Sequence, residues 1–187
     1  MDYGVWFFML GAVARLTIAV IFALAAFLAM REWTVFGGIV EQYRIAPRWL
    51  ALLAARILPP VELAAAAALM LPMTSSAGAV LGLCLMAMFT AAISVNLARG
   101  RVSIDCGCGG ASGQKLSIGL VLRNLVVMFG LIVALLAPPE GAVDSATAIG
   151  VISASLALIA LYFATNQLMT NFQAFNVLNS RSRTWPR

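Results

Sequence analysis

The residues Ile104-Asp105-Cys106-Gly107-Cys108-Gly109-Gly110 set two thiols one glycine apart, in a short polar stretch between long apolar runs. Closing a disulfide needs Cα atoms about 4.4–6.8 Å apart, which residues two apart reach if the chain bends, and Gly107 permits the bend. A ring that small is strained, and strained disulfides are more oxidising and exchange more readily. Arg99, Arg101 and Lys115, with the positive end of the following helix, favour the thiolate, while Asp105 opposes it. Zinc takes four ligands, whereas this loop offers two thiolates and one aspartate and the chain has no histidine, so a metal centre is not expected. A redox pair is the expectation; incidental cysteines are the bland alternative. Cys84 sits inside an apolar run and is expected to be a small buried hydrophobe.

The elements that must position this pair are membrane spans. Of 187 residues, 63% are hydrophobic and 10% charged, against about 45–50% and about 25% in soluble domains. Five apolar runs, near residues 6–30, 49–71, 77–97, 116–137 and 146–168, are each long enough to cross a hydrocarbon core of about 30 Å. Pro72 with Thr74-Ser75-Ser76, the glycine-rich segment and Pro138-Pro139-Glu140-Gly141 separate them. The fold expected is an all-α integral membrane bundle of residues 1–170, followed by a basic polar tail, 171–187. Between the first two spans, Trp33, Phe36, Ile39, Val40 and Tyr43 recur at helical spacing in a segment too polar to span. They predict an amphipathic helix at the interface, or a lid on the bundle.

Charge constrains the chemistry further. Without histidine there is no imidazole base and no His-ligated haem. The net charge of +5 is scattered through short loops, so no nucleic-acid partner is expected. Arg31, Arg44, Arg48, Arg99, Arg101, Lys115 and the tail arginines fall on one side of a five-span topology. The positive-inside rule places that side, and the cysteine loop, in the cytoplasm. Arg15, Arg56, Glu62 and Arg123 lie within apolar runs, where a charge costs roughly 2.5–3.5 kcal/mol and must find a partner. Arg15 and Glu62 come to similar depth and are the preferred ion pair, with helix register as their more ordinary role. Pro59 and Pro60 remove two backbone donors and predict a kink or break just before Glu62, the wall of a pocket if not a packing kink. Asn96 and Asn124 flank the cysteine loop.

The run Asn96-Leu97-Ala98-Arg99-Gly100-Arg101, the 104–110 segment, Leu116-Ser117 and Arg123-Asn124 together resemble the MauE family of methylamine utilisation proteins, within the MauE/DoxX group of redox-associated membrane proteins. Tyr43 with Pro47, and Pro60-Val61-Glu62-Leu63, follow the group's looser pattern. The resemblance implies a bacterial inner-membrane thiol–disulfide component that supports maturation of the methylamine dehydrogenase small subunit, a periplasmic client rich in disulfides. It implies a membrane-anchored, thioredoxin-like (MauD-like) partner, with Cys106 and Cys108 as the exchanging pair. The architecture is similar to the vitamin K epoxide reductase bundle, a four-helix core with one helix added here. By that analogy no cofactor is required, but a quinone would sit in a pocket bounded by Pro59-Pro60, Glu62 and Arg123.

Work on a periplasmic client conflicts with a cytoplasmic cysteine loop. Three readings resolve it. The basic loops dock an acidic partner and the charge rule fails; or the loop folds back into the bundle; or the protein relays thiol equivalents across the bilayer. The family favours the first. Two other functions remain open: a non-catalytic scaffold that recruits the partner, and a small transporter suggested by the buried charges and the interrupted second span.

Overall fold

The computed structural model describes residues 3–107, 114–138 and 144–183. Among these residues six α-helices and one short 3₁₀ turn follow in order: α1 Tyr3–Arg31, α2 Trp33–Gln42, α3 Arg48–Met70, the turn Pro72–Thr74, α4 Ser75–Ala98, α5 Ile118–Leu136 and α6 Ser145–Arg183. Five of them, all but α2, are long and apolar enough to cross a membrane. The five expected spans are therefore present, and α6 runs on without interruption into the basic tail region.

α1 packs on α3 and α5, and α4 packs on α3 and α5, which closes a ring of four helices; α6 lies outside, against α1. Lipid tails are as apolar as leucine, so close packing rather than apolar burial must hold such a ring together. Small residues provide it. A Cβ on Gly78 would stand 2.6 Å from the backbone nitrogen of Leu69, so α3 and α4 touch backbone to backbone there. Phe22 of α1, Leu69 of α3, Ala79 of α4 and Leu131 of α5 meet at the centre, each buried almost completely. The outward faces of α5 and α6 are large and apolar, as at Val126, Phe129, Ile149 and Leu168, where lipid is the solvent. Exposed Trp33 and Trp49 at one end and Trp6 at the other suit the two membrane interfaces.

Three expectations are corrected. α3 is helical without interruption through Pro59 and Pro60, so of the kink or break expected there the break is absent. Packing of α3 between α1, α2 and α4 outweighs the loss of two donors, and proline's fixed φ is already helical. Pro59 is buried and Pro60 faces outward. Arg15 does not choose Glu62. Its guanidinium donates to the carbonyls of Ala134 (3.2 and 2.9 Å), Pro138 (3.1 Å) and Ala137, at the C-terminus of α5. A helix end leaves four carbonyls without partners and carries about half a negative charge, so a buried cation is well matched to it. Cys84, finally, lies on the exposed face of α4 instead of in the core.

Asp144 caps α6, accepting from the Thr147 amide at 3.0 Å. Hydrogen bonds from Thr147, from its side chain first and its backbone second, hold the Asp144 carboxyl below the usual carboxylate range.

Candidate functional site

The segment after α4 turns back as a small hairpin. The Cys106 amide donates to the Gln114 carbonyl at 2.8 Å and the Leu116 amide to the Ile104 carbonyl at 3.0 Å, with Asp105 opposite Lys115 in an antiparallel bridge. Ile104, Cys106 and Leu116 thereby point inward, where they pack with Ile93 of α4 and Leu120 of α5. Cys106 is only 7% exposed. Cys108, its expected redox partner, lies outside the described residues.

Gly107 makes the turn possible. Its φ of +75° is left-handed backbone, and a Cβ there would meet Ile39 at 3.1 Å and Phe36 at 3.5 Å. α2 lies directly over this glycine, while the bend expected to bring Cys108 to Cys106 falls on residues outside those described. α2 is thus the expected lid, with Gly37 and Ile39 buried. It ends at Gln42, and Arg44, two residues on, has a φ of +47°, unusual for a side-chain-bearing residue. Tyr43, just before, donates its phenol to the Cys106 carbonyl at 3.2 Å.

The basic residues flanking the pair hold this corner. Arg101 reaches the Tyr43 carbonyl and the Asn96 side chain, both at 3.4 Å, and Arg99 reaches the Arg44 carbonyl at 3.3 Å. Asn96 is wholly buried and also donates to the Ala92 carbonyl at 3.0 Å. Asn96, Arg99 and Arg101 are therefore joined, through Tyr43, to the Cys106 backbone. Lys115 enters through its main chain: its amide and carbonyl exchange two 3.0 Å hydrogen bonds with the Gln173 side chain on α6. The Gln114 side chain points at the Met169 sulfur, 3.7 Å away on the same helix.

Below the hairpin lies a cavity of about 440 Å³, walled by α1 to α5 and touched by Tyr162 of α6. Its lining is mostly apolar, with Phe22, Ala54, Leu58, Ala92 and Val127 among the wall residues. Cys106 and Gly107 form part of its upper wall, and Glu62, Arg123 and Asn124 its polar patches. Of the expected pocket residues, Glu62 and Arg123 line the cavity, whereas of the 58–62 stretch only Leu58 and Glu62 do; Pro59 and Pro60 are not in its wall. Arg15 belongs to the opposite end of the bundle.

Arg123 and Asn124 form the centre of a polar network at membrane depth. Arg123 donates to Asn124 Oδ1 at 3.1 Å and to Asn166 Oδ1 at 3.0 Å, and its guanidinium lies 5.4 Å from the Tyr162 ring centre. Asn124 passes the chain on to Thr90 at 3.3 Å. An intramembrane charge must find partners on neighbouring helices, and this one ties α4, α5 and α6 together. Thr90, Tyr162, Asn166 and Gln173 were not anticipated. Asn166, polar inside an apolar run, carried a legible signal; Gln173, beyond the span, carried none. Among the described residues no cluster of His, Cys, Asp or Glu could hold a metal ion.

The family model for methylamine utilisation protein MauE matches residues 8–137, from the second turn of α1 to the end of α5. Methylamine utilization protein MauE of Methylorubrum extorquens is 40% identical over 156 residues, 81% of this chain and 83% of its own. The protein of the same name from Paracoccus versutus is 37% identical over 159 residues, 82% and 84% of the two chains. That of Methylophilus methylotrophus is 33% identical over 164 residues, 86% of each. No solved structure matches the chain. Five membrane-length helices and a family match across most of their length make this a multi-pass membrane protein that belongs to the MauE family of methylamine utilisation proteins.

Proposed function

We propose that this protein is the membrane thiol–disulfide component through which a membrane-anchored thioredoxin-like partner is kept oxidised, so that the methylamine dehydrogenase small subunit acquires its disulfides in the periplasm. The observation that supports it most is Cys106, a thiol held in a paired hairpin on a left-handed glycine, with Cys108 one residue beyond. In the exchange, a partner thiolate attacks the Cys106–Cys108 disulfide, forming a mixed disulfide and releasing one thiolate. The partner's second thiolate then breaks the mixed disulfide. The partner leaves with a disulfide and this protein keeps the dithiol. Arg44 and Arg99, exposed at the hairpin end, suit an acidic docking surface.

A scaffold is the second reading, favoured by the bracing of the hairpin by Tyr43 and Gln173 independently of any disulfide. Of the motives for a transporter, the interrupted span is absent, since α3 is continuous, whereas Glu62 and Arg123 stand in the cavity wall. Cys106→Ser and Cys108→Ser, each co-expressed with the partner and the small subunit, separate the first two. A redox role predicts a trapped mixed disulfide and loss of maturation; maturation at the normal level in both variants would establish the scaffold. The periplasmic assignment predicts that an impermeant maleimide labels the pair in intact spheroplasts of a Cys84→Ala strain, and only after reduction. Labelling that requires broken cells would overturn it.

A further inference from the structure

We propose that the cavity beneath the hairpin holds one acyl chain of an anionic phospholipid, whose phosphate meets Arg44 and Arg48 at the membrane interface. The proposal does not depend on the redox role, since it asks nothing of the thiols.

The cavity has the length of one leaflet's acyl chain. Its lining residues run along α3 from Leu50 to Glu62, about 18 Å, and along α4 from Met86 to Val95, about 14 Å, at 1.5 Å per residue. One leaflet's share of a hydrocarbon core of about 30 Å is about 15 Å. The outer end lies at the interface, where Ile45, Ala46 and Leu50 form the wall beside exposed Trp49. The wall is also incomplete on the lipid side. Leu50 of α3 and Met88 and Val95 of α4 line the cavity and are exposed at the same time, at the opposite end of the helix pair from the close contact at Gly78. A chain can therefore enter sideways from the bilayer.

The interior asks for hydrocarbon. The polar side chains in the wall are already engaged within the protein: Arg123 donates to Asn124 and Asn166, Asn124 donates to Thr90, and Glu62 has a partner as well. A methylene chain fills the apolar remainder without disturbing these pairs. Filling it restores the dispersion contacts that an empty cavity forfeits.

Charge selects the headgroup. Arg44 and Arg48 are exposed and bracket Ile45 and Ala46 of the cavity mouth, and the Arg99 guanidinium lies 3.3 Å from the Arg44 carbonyl. Glu41, 3.2 Å from Arg48, offsets one of these three positive charges. The remaining positive charge at headgroup level attracts an anionic lipid, and guanidinium N–H groups donate to phosphate oxygens in charge-assisted hydrogen bonds. A zwitterionic lipid brings the same phosphate with a cation attached, and gains less.

The test uses the purified full chain, stripped of lipid in detergent, with two probes that share their acyl chains: dioleoyl phosphatidylglycerol and dioleoyl phosphatidylcholine. Retention is read by native mass spectrometry. One phosphatidylglycerol per protein, held about tenfold or more tightly than phosphatidylcholine, is the expected result. Arg44→Gln combined with Arg48→Gln should bring the two lipids to within about threefold of each other. Ala54→Phe and Ala92→Phe each push a ring into the cavity from a different helix and should weaken phosphatidylglycerol about tenfold or more. Circular dichroism identifies a cavity variant that has not folded, and the arginine variant, altered only at exposed positions, carries the comparison if neither folds. Four results would overturn the proposal: equal retention of the two lipids by the parent chain, an unchanged preference in the arginine variant, unchanged retention in a folded cavity variant, or a copurified isoprenoid lipid that phosphatidylglycerol does not displace.

Discussion

Gly107→Ala tests how the hairpin is held. The backbone there has φ +75°, and a non-glycine residue in left-handed backbone costs about 1–2 kcal/mol. The new Cβ would stand 3.1 Å from Ile39 and 3.5 Å from Phe36, so α2 must give by a few tenths of an ångström. Overpacking of this kind costs roughly 1–3 kcal/mol, and the low end applies because both neighbours are side-chain ends. Together the terms come to about 2–3 kcal/mol against the docked hairpin, or about 30- to 150-fold in its opening equilibrium at 1.4 kcal/mol per factor of ten. A thiol protected by burial is labelled through opening, so the rate follows that equilibrium. The assay is labelling of Cys106 by a water-soluble maleimide in a Cys84→Ala, Cys108→Ser background. Gly100→Ala is the control: it shares the backbone cost at φ +69°, but its Cβ would meet nothing within 4 Å. It should accelerate Cys106 labelling far less. A Gly107→Ala rate within threefold of the parent would refute the argument that backbone and α2 jointly hold this turn.

Other outcomes are expected elsewhere. Arg15→Leu, which strips the α5 carbonyls of a charged donor, should destabilise the bundle by about 2–4 kcal/mol in denaturant unfolding, hydrogen bonds to charged groups being worth about 1.5–3 kcal/mol each. In a double-mutant cycle with Glu62→Gln the two effects should add to within about 0.5 kcal/mol, and a larger coupling would restore the ion pair rejected above. Gln173→Leu removes two hydrogen bonds from Lys115 and should cost about 1–3 kcal/mol locally, read as faster amide exchange at residues 114–116 with the rest of the chain unchanged. Asp144 has a depressed carboxyl pKa, so its stabilisation is present above the unfolded value and is lost as the pH falls through the folded one. Thr147→Val should raise the Asp144 midpoint in a carbon-13 NMR titration; an unmoved midpoint would remove Thr147 as the cause.

Much of this protein is written in residue type and spacing. Membrane spans were legible because a run of apolar residues has few alternatives in a bilayer: the backbone must bond to itself, and a helix does so within one segment. The left-handed backbone at Gly107 was legible because glycine takes it without strain. The amphipathic spacing of Trp33, Phe36, Ile39 and Val40 announced α2. Which partner each buried polar group takes was not legible, because depth along a helix leaves rotation and neighbours unspecified. Arg15 and Glu62 stand at similar nominal depth, yet the ring order brings the end of α5 to Arg15. Cys84 and Cys106 are both cysteines near apolar residues, and packing turned the first outward and the second inward. Pro59 and Pro60 allow a kink or a break when α3 is considered alone, and in the bundle α3 stays helical across both. Sequence determined the elements and the thiol pair, since those depend on local chemistry. Tertiary structure decided that α2, α6 and the arginines converge on Cys106 above a cavity, since that depends on which helices lie side by side.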